Sequence, residues 1–224
     1  MKVDLHIHSC FSPDSYSKPK NIIEAAKKKG LSGIAVTDHY TIKGGLEALK
    51  ANQDPNFQVI VGMEAKTDCG DLIGLFLTKE LVSHKALEVI DEIHAQGGIA
   101  VLPHPLRSHE LTEEILKKVD AIEVFNAGTK PEQNEQAIEL AKKYAKPMLC
   151  GSDAHFLSEV GRCQNIFSSN DIKKEILNGD IKLETNYTVR YKFPLTGIVR
   201  AWRTKEFGKI PHLILKVIHR LVKG

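Results

Sequence analysis

Met1-Lys2-Val3-Asp4-Leu5-His6-Ile7-His8-Ser9 is the stretch from which the rest of the chain is best read. In a β-strand successive side chains point to opposite faces, so His6 and His8 share one side while Leu5 and Ile7 share the other, toward a core. Two neutral imidazoles held close together are poor core material and good ligands for a transition-metal ion. Taken alone, a His-x-His is more plainly read as exposed or hydrogen-bonded histidines.

The remaining chain shifts that balance. Asp153-Ala154-His155 repeats the alternation directly after the apolar run Pro147-Met148-Leu149-Cys150. Thr37-Asp38-His39 follows Leu31-Ser32-Gly33-Ile34-Ala35-Val36, Glu64 follows the run from Phe57 to Met63, and His104-Pro105 follows Gly98-Ile99-Ala100-Val101-Leu102-Pro103. Each short apolar run of strand length ends in a ligand-type residue, which places the ligands together at one end of a sheet or barrel. Asp14, in the Ser- and Pro-containing loop after the first strand, is either a turn former or an oxygen ligand reaching back to the cluster.

Between these runs lie helical segments: Pro19 to Gly30, Leu46 to Asn52, Lys85 to Gln96 with a Leu87, Ile90 and Ile93 stripe, Leu111 to Lys118, Pro131 to Tyr144, and Asp171 to Leu177 ahead of Gly179. Alternating strands and helices indicate a parallel sheet with crossover helices. About seven such units with ligands at the strand C-termini favour an α/β barrel of the (β/α) type. An open doubly wound sheet is weaker, because no Gly-x-Gly-x-x-Gly loop follows the first strand. His84 and His94 read as exposed helical residues. Arg107 and His109 sit in a loop that faces either an anionic substrate or solvent.

The 224 residues suit one α/β domain over residues 1–180, followed by a basic extension over 181–224 that is expected to pack on it. Neither a signal peptide nor an apolar run of membrane-spanning length is apparent, so a cytoplasmic protein is expected. The four cysteines show no C-x-x-C spacing and are expected to be reduced. The net charge of +3 is uneven: from Ile181 onward ten basic residues face only Glu184 and Glu206, near +8, which leaves the body near −5. Such a tail suits nucleic acid, an anionic surface, or a solvated or partner-binding face. Val189 to Phe193 reads as a further strand or extended arm, and Ile210 to Val222 as an apolar-rich helix with basic residues.

With these residues in view, the sequence resembles the PHP family, the polymerase and histidinol phosphatase superfamily of metal-dependent phosphoesterases. The matching motifs are Asp4-Leu5-His6-Ile7-His8-Ser9, Thr37-Asp38-His39, Gly62-Met63-Glu64, His104-Pro105 and Gly151-Ser152-Asp153-Ala154-His155, in the family's order. The resemblance implies a distorted (β/α)7 barrel with two or three divalent metal ions, Zn, Mn or Fe. By position, one ion takes His6, His8, Glu64 and Asp153, and Glu64 bridges to a second held by His104. A third takes Asp14, His39 and His155. Family members often carry a histidine where this chain has Asp71, a harder ligand that favours Mn or Fe.

Such ions lower the pKa of a bridging water and clamp phosphoryl oxygens, so no nucleophilic side chain is required. Ser9 and Cys10 lack a recognisable base partner for a covalent route. Arg107, Asn126 and Arg162 are the candidate phosphate contacts. The expected substrate is a small phosphorylated metabolite or a nucleotide, with nucleic acid a further candidate through the basic tail. The competing readings are a non-catalytic metal-binding scaffold or regulatory module, and a metallohydrolase cutting C–N bonds.

Overall fold

A computed structural model describes residues 1–189 and 192–222, with the side chains of 192 and 193 left out. Of the strand or arm expected over Val189–Phe193, residues 190 and 191 fall outside that description, and 192–193 open a helix instead of continuing a strand. The chain folds as an α/β protein in which nine strands form one strongly curved, nearly closed sheet. In chain order, β1 (Lys2–Ile7), α1 (Pro19–Lys28), β2 (Gly33–Val36), α2 (Lys43–Ala51) and β3 (Gln58–Thr67) make two parallel crossovers. α1 starts at a proline, ends in Lys27 and Lys28, and buries Ile22, Ile23 and Ala26, so first-turn proline, dipole and apolar stripe agree.

The expected parallel alternation then breaks. β3 turns through Asp68 and Cys69 directly into β4 (Gly70–Leu75), an antiparallel hairpin with Thr67 opposite Gly70. A two-residue turn cannot return a parallel strand, which needs a crossover of a dozen residues or more. α3 (Ala86–Ala95) leads to β5 (Ile99–Leu102), antiparallel to β4. Parallel pairing resumes through α4 (Glu113–Lys118), β6 (Ala121–Asn126), α5 (Pro131–Lys143) and β7 (Met148–Gly151). β8 (Cys163–Ile166) lies antiparallel on β1, and α6 (Ile172–Asn178), capped by left-handed Gly179, leads to β9 (Lys182–Thr185) at the far edge. These reversals are what distort the barrel. β9 escaped the sequence reading because Lys-Leu-Glu-Thr has no apolar run.

Side chains seal the seam between β1 and β7, where ladder pairing is sparse. Asn165 of β8 donates to Val3 O (3.2 Å) and Cys150 O (2.7 Å) and accepts from Cys150 N–H (2.9 Å). The wholly buried Asp4 accepts from Ser152 N–H (3.1 Å) and Gly161 N–H (2.7 Å). Burial pushes the Asp4 carboxyl up to about 6 against those hydrogen bonds. All four cysteines are free thiols.

After the barrel come two helices, α7 (Lys192–Arg203) and α8 (Ile210–Val222), joined through a 3-10 turn at Phe207–Lys209. Arg203 donates to Cys10 O (2.9 Å), Ser12 O (2.7 Å) and Ser15 O (2.6 Å), tying α7 to the loop after β1. That loop is held from below by Asp38, which accepts from Ser9 N–H (2.6 Å), Ser9 Oγ (2.6 Å) and Ser12 Oγ (2.8 Å).

Gly44 of α2 packs on this knot: a Cβ there would stand 1.8 Å from Asp38 Oδ2 and 2.3 Å from Ser9 Oγ. In an open helix Gly→Ala stabilises by about 1 kcal/mol. Here Gly44→Ala is expected to destabilise by about 1–3 kcal/mol through overpacking, read as a lower urea midpoint at unchanged slope.

Candidate metal centre

The pleat of β1 sends His6 and His8 to one side, and both are essentially inaccessible to solvent. Their Nε2 atoms lie 3.2 Å apart. Glu64 Oε2 stands 3.5 Å from His6 Nε2 and 3.3 Å from His8 Nε2, and Asp153 Oδ1 stands 3.5 and 3.2 Å from the same two atoms. Donors about 2.1 Å from a tetrahedral ion are about 3.4 Å from one another. These separations therefore fit one divalent ion.

Three ring orientations are fixed from behind. Glu123 accepts from His6 Nδ1–H (2.9 Å), Ser12 Oγ accepts from His8 Nδ1–H (3.1 Å) while donating to Asp38, and Asp153 O accepts from His155 Nδ1–H (2.8 Å). With each Nδ1 proton committed, the Nε2 lone pairs are the free ones and point inward. Asp153 itself follows β7 with a left-handed backbone, φ 52°, and His104 follows β5 at φ 29°, turns that bring their side chains back over the sheet.

Glu64 joins the donor groups, with one oxygen in each direction. Oε1 stands 3.2 Å from His104 Nε2, and Oε2 stands 3.2 Å from His39 Nδ1. Asp14 Oδ2 and Oδ1 lie 3.4 Å from His39 Nε2 and His155 Nε2, closing a third group with His8. Glu64 lies inside β3, facing Ile73 of the hairpin, not at a strand end as expected. Asp14 Oδ1 is buried without a hydrogen-bond partner, as befits an oxygen built around a cation.

The electrostatics say the same. Burial alone would lower the pKa of His6, but the pull of Glu123, Asp153 and Glu64 raises it well above the usual range. His8 and His155 are raised likewise by facing carboxylates. Burial would raise Glu64 and Asp153, yet the histidines, and Arg107 for Asp153, hold both well below ordinary carboxylate values. Without metal, protons serve as the cations of this centre.

Asp71, His104 and His109 form a further group whose ligand atoms lie within 4.8 Å. Asp71 pairs with Lys66 (3.2 Å), and the His109 ring packs where any Cβ on Gly70 would strike it, at 2.3 Å. Of the two placements open to its loop, His109 thus takes the one that borders the centre. No spacing signals it.

Glu123 was also missed, although a lone acid inside the apolar Ala121-Ile122-Glu123-Val124-Phe125 was a legible sign. Burial would raise its pKa, and His6 lowers it. Glu123→Gln weakens the acceptor behind His6 and is expected to cut metal affinity about 10–100-fold, measured by competition with a chromophoric chelator.

The phosphate candidates separate. Arg107 Nη2 donates to Asp153 Oδ2 (2.7 Å) and lines the cavity over the centre. Asn126 is buried behind it, donating to Glu123 Oε2 (2.9 Å), and orients carboxylates without lining the cavity. Arg162 donates to Tyr187 O (2.6 Å) and lines a separate groove with Lys29 and Glu184, so the structure does not bring it to the centre.

A distorted barrel carrying these clustered imidazoles and carboxylates, most of them at strand ends, has the architecture of PHP-like metal-dependent phosphoesterases. The chain belongs to the PHP domain family, whose pattern matches residues 4–179. It is similar to an uncharacterized protein of Methanocaldococcus jannaschii, 36% identical over 230 residues that cover 94% of this chain and 91% of that one. A probable phosphatase of Caldicellulosiruptor saccharolyticus is 26% identical over 202 residues, covering 73% of this chain and 84% of the relative. Among solved structures, a two-domain protein of Bacteroides vulgatus containing a predicted PHP-like metal-dependent phosphoesterase superposes with a TM-score of 0.71 at 18% identity. That match covers 83% of this chain and 65% of the other.

Proposed function

We propose that this protein is a metal-dependent hydrolase of phosphoric esters, acting on a phosphomonoester or a small or nucleotide phosphodiester. The observation that carries the reading is the convergence of inward Nε2 lone pairs with the Glu64 and Asp153 oxygens at 3.2–3.5 Å. In this reading His6, His8, Glu64 and Asp153 hold one Zn, Mn or Fe ion. Glu64 and His104, bordered by Asp71 and His109, hold a second, and Asp14, His39 and His155 hold a third. Bound divalent ions supply Lewis acidity, which acidifies water and neutralises phosphoryl oxygens.

The chain's own residues do the rest. Asp14, Glu64, Asp71 and Asp153 make the cavity too acidic for a phosphate unless cations are seated, so binding depends on loading. Arg107 adds a guanidinium at the cavity wall to grip a phosphoryl oxygen. Ser12, Glu123 and the Asp153 carbonyl keep three imidazoles in one tautomer.

The cavity measures about 240 Å³, the room of about eight waters. That suits a phosphoryl group and a few attached atoms, with the remainder of the substrate outside. Assay of Mn- and Zn-loaded protein on p-nitrophenyl phosphate, its bis ester, histidinol phosphate and short oligonucleotides tests the proposal. Turnover of at least one substrate that stops with chelator supports it. Inertness toward all of them at full metal content rejects it in favour of a metal-binding scaffold.

A further inference from the structure

α8 carries more apolar side chains than its own hairpin covers. Its half-buried Ile210, Leu213 and Val217 lie on one side, with Leu213 packed against Gly197 of α7. Ile214, Leu215, Ile218, Leu221 and Val222 are between 44% and 81% exposed. At about 100° per residue these five occupy an arc of about 120°. His212, Lys216, His219 and Arg220 occupy the sector beside it. At the turn between the helices, the Trp202 and Phe207 rings meet edge to face at 5.4 Å, 62% and 52% exposed.

We infer that this hairpin docks on an anionic lipid bilayer, with the α8 arc entering the interface and the flanking cations meeting headgroups. From Arg200 to Arg220 the chain has six basic residues and one acid, Glu206. A second copy of the chain would bring like charge against like charge. A nucleic acid would satisfy the charge but not the apolar arc. A bilayer with anionic headgroups satisfies both, as interfacial helices do. No helix among the described residues is long and apolar enough to cross a membrane, so α8 lies in the surface plane. α7 also lends Thr196 to the wall of the acidic cavity, which joins the docked surface to the candidate centre through one helix.

Trp202 is the only tryptophan of the chain and reports directly. Vesicles of phosphatidylcholine mixed with phosphatidylglycerol are expected to shift its emission to the blue. Pure phosphatidylcholine is expected not to, and salt is expected to weaken the effect. The double variant Leu215→Glu with Ile218→Glu, both exposed and neither among the residues lining the cavity, is expected to bind such vesicles at least about a hundredfold more weakly. Its melting temperature and phosphoesterase assay are expected to stay unchanged.

Four results would overturn the inference. They are no shift with anionic vesicles, undiminished vesicle binding by the double variant, tight binding of an oligoribonucleotide without vesicle binding, or a dimer in sedimentation velocity that the double variant dissolves.

Discussion

His8→Ala is expected to lower kcat by about a thousandfold while the barrel stays folded. His8 Nε2 faces His6, Glu64 and Asp153, and its ring stacks on His155 with centroids 4.3 Å apart. It therefore stands between two of the three donor groups, and no neighbouring side chain can take its place without unpicking the other. A seated divalent ion supplies several kcal/mol of stabilisation to a phosphoryl transition state, and that much is about a thousandfold in rate. The apolar side of β1, Leu5 and Ile7, is untouched by the change. Metal content per chain, measured by plasma mass spectrometry beside activity and circular dichroism, separates the outcomes. Full activity at full metal content would remove His8 from the centre. Loss of fold along with activity would call for His8→Asn, which keeps most of the volume and can still donate a hydrogen bond to Ser12 Oγ.

How much of this was visible beforehand differs between strands. Where a strand ends in a ligand, as at His8, His39, His104 and Asp153, the apolar run announces both the element and the chemistry, because buried strands of this kind read as continuous hydrophobic stretches. Glu64 broke the rule: β3 runs ten residues, and its carboxylate projects from the middle of a hairpin. Strand direction was not legible, since an apolar run carries no sign of whether its neighbour is parallel. Only the short Asp68-Cys69 turn betrays the reversal. The supporting acids were partly legible. Asp4, Asp38 and Glu123 are charged residues set in or just beyond apolar strands, each buried and each bonded to a backbone, hydroxyl or imidazole group that a ligand depends on. Arg162, just past the last ligand motif, is close to the centre in sequence only. The turn at Gly161 points it at Tyr187 instead.

Stripping the metal is expected to make stability fall with rising pH, and reloading is expected to reverse that slope. In the metal-free chain His6, His8 and His155 bind protons more tightly than unfolded histidines near 6.5, because carboxylates face them. The folded state then holds more protons than the unfolded one above about pH 6.5, so stability is lost as pH climbs through the raised values. Asp4, raised from 3.8 to about 6, acts in the same direction at lower pH, since its buried carboxyl must ionise. Glu64 and Asp153, lowered, act oppositely but only as pH falls through the acid range. The chelated protein should therefore be most stable in mildly acidic buffer. Metal binding displaces those protons, so affinity strengthens with pH. At a thousandfold excess over Kd the loaded protein gains about 4 kcal/mol. For a chain of this size that corresponds to a melting temperature about 8–16 °C higher. Differential scanning fluorimetry with and without chelator, at pH 5.5 and pH 8, reads the comparison. A gap that fails to widen at the higher pH would mean that the imidazoles and carboxylates do not share their cations, with protons taking the places that metals vacate.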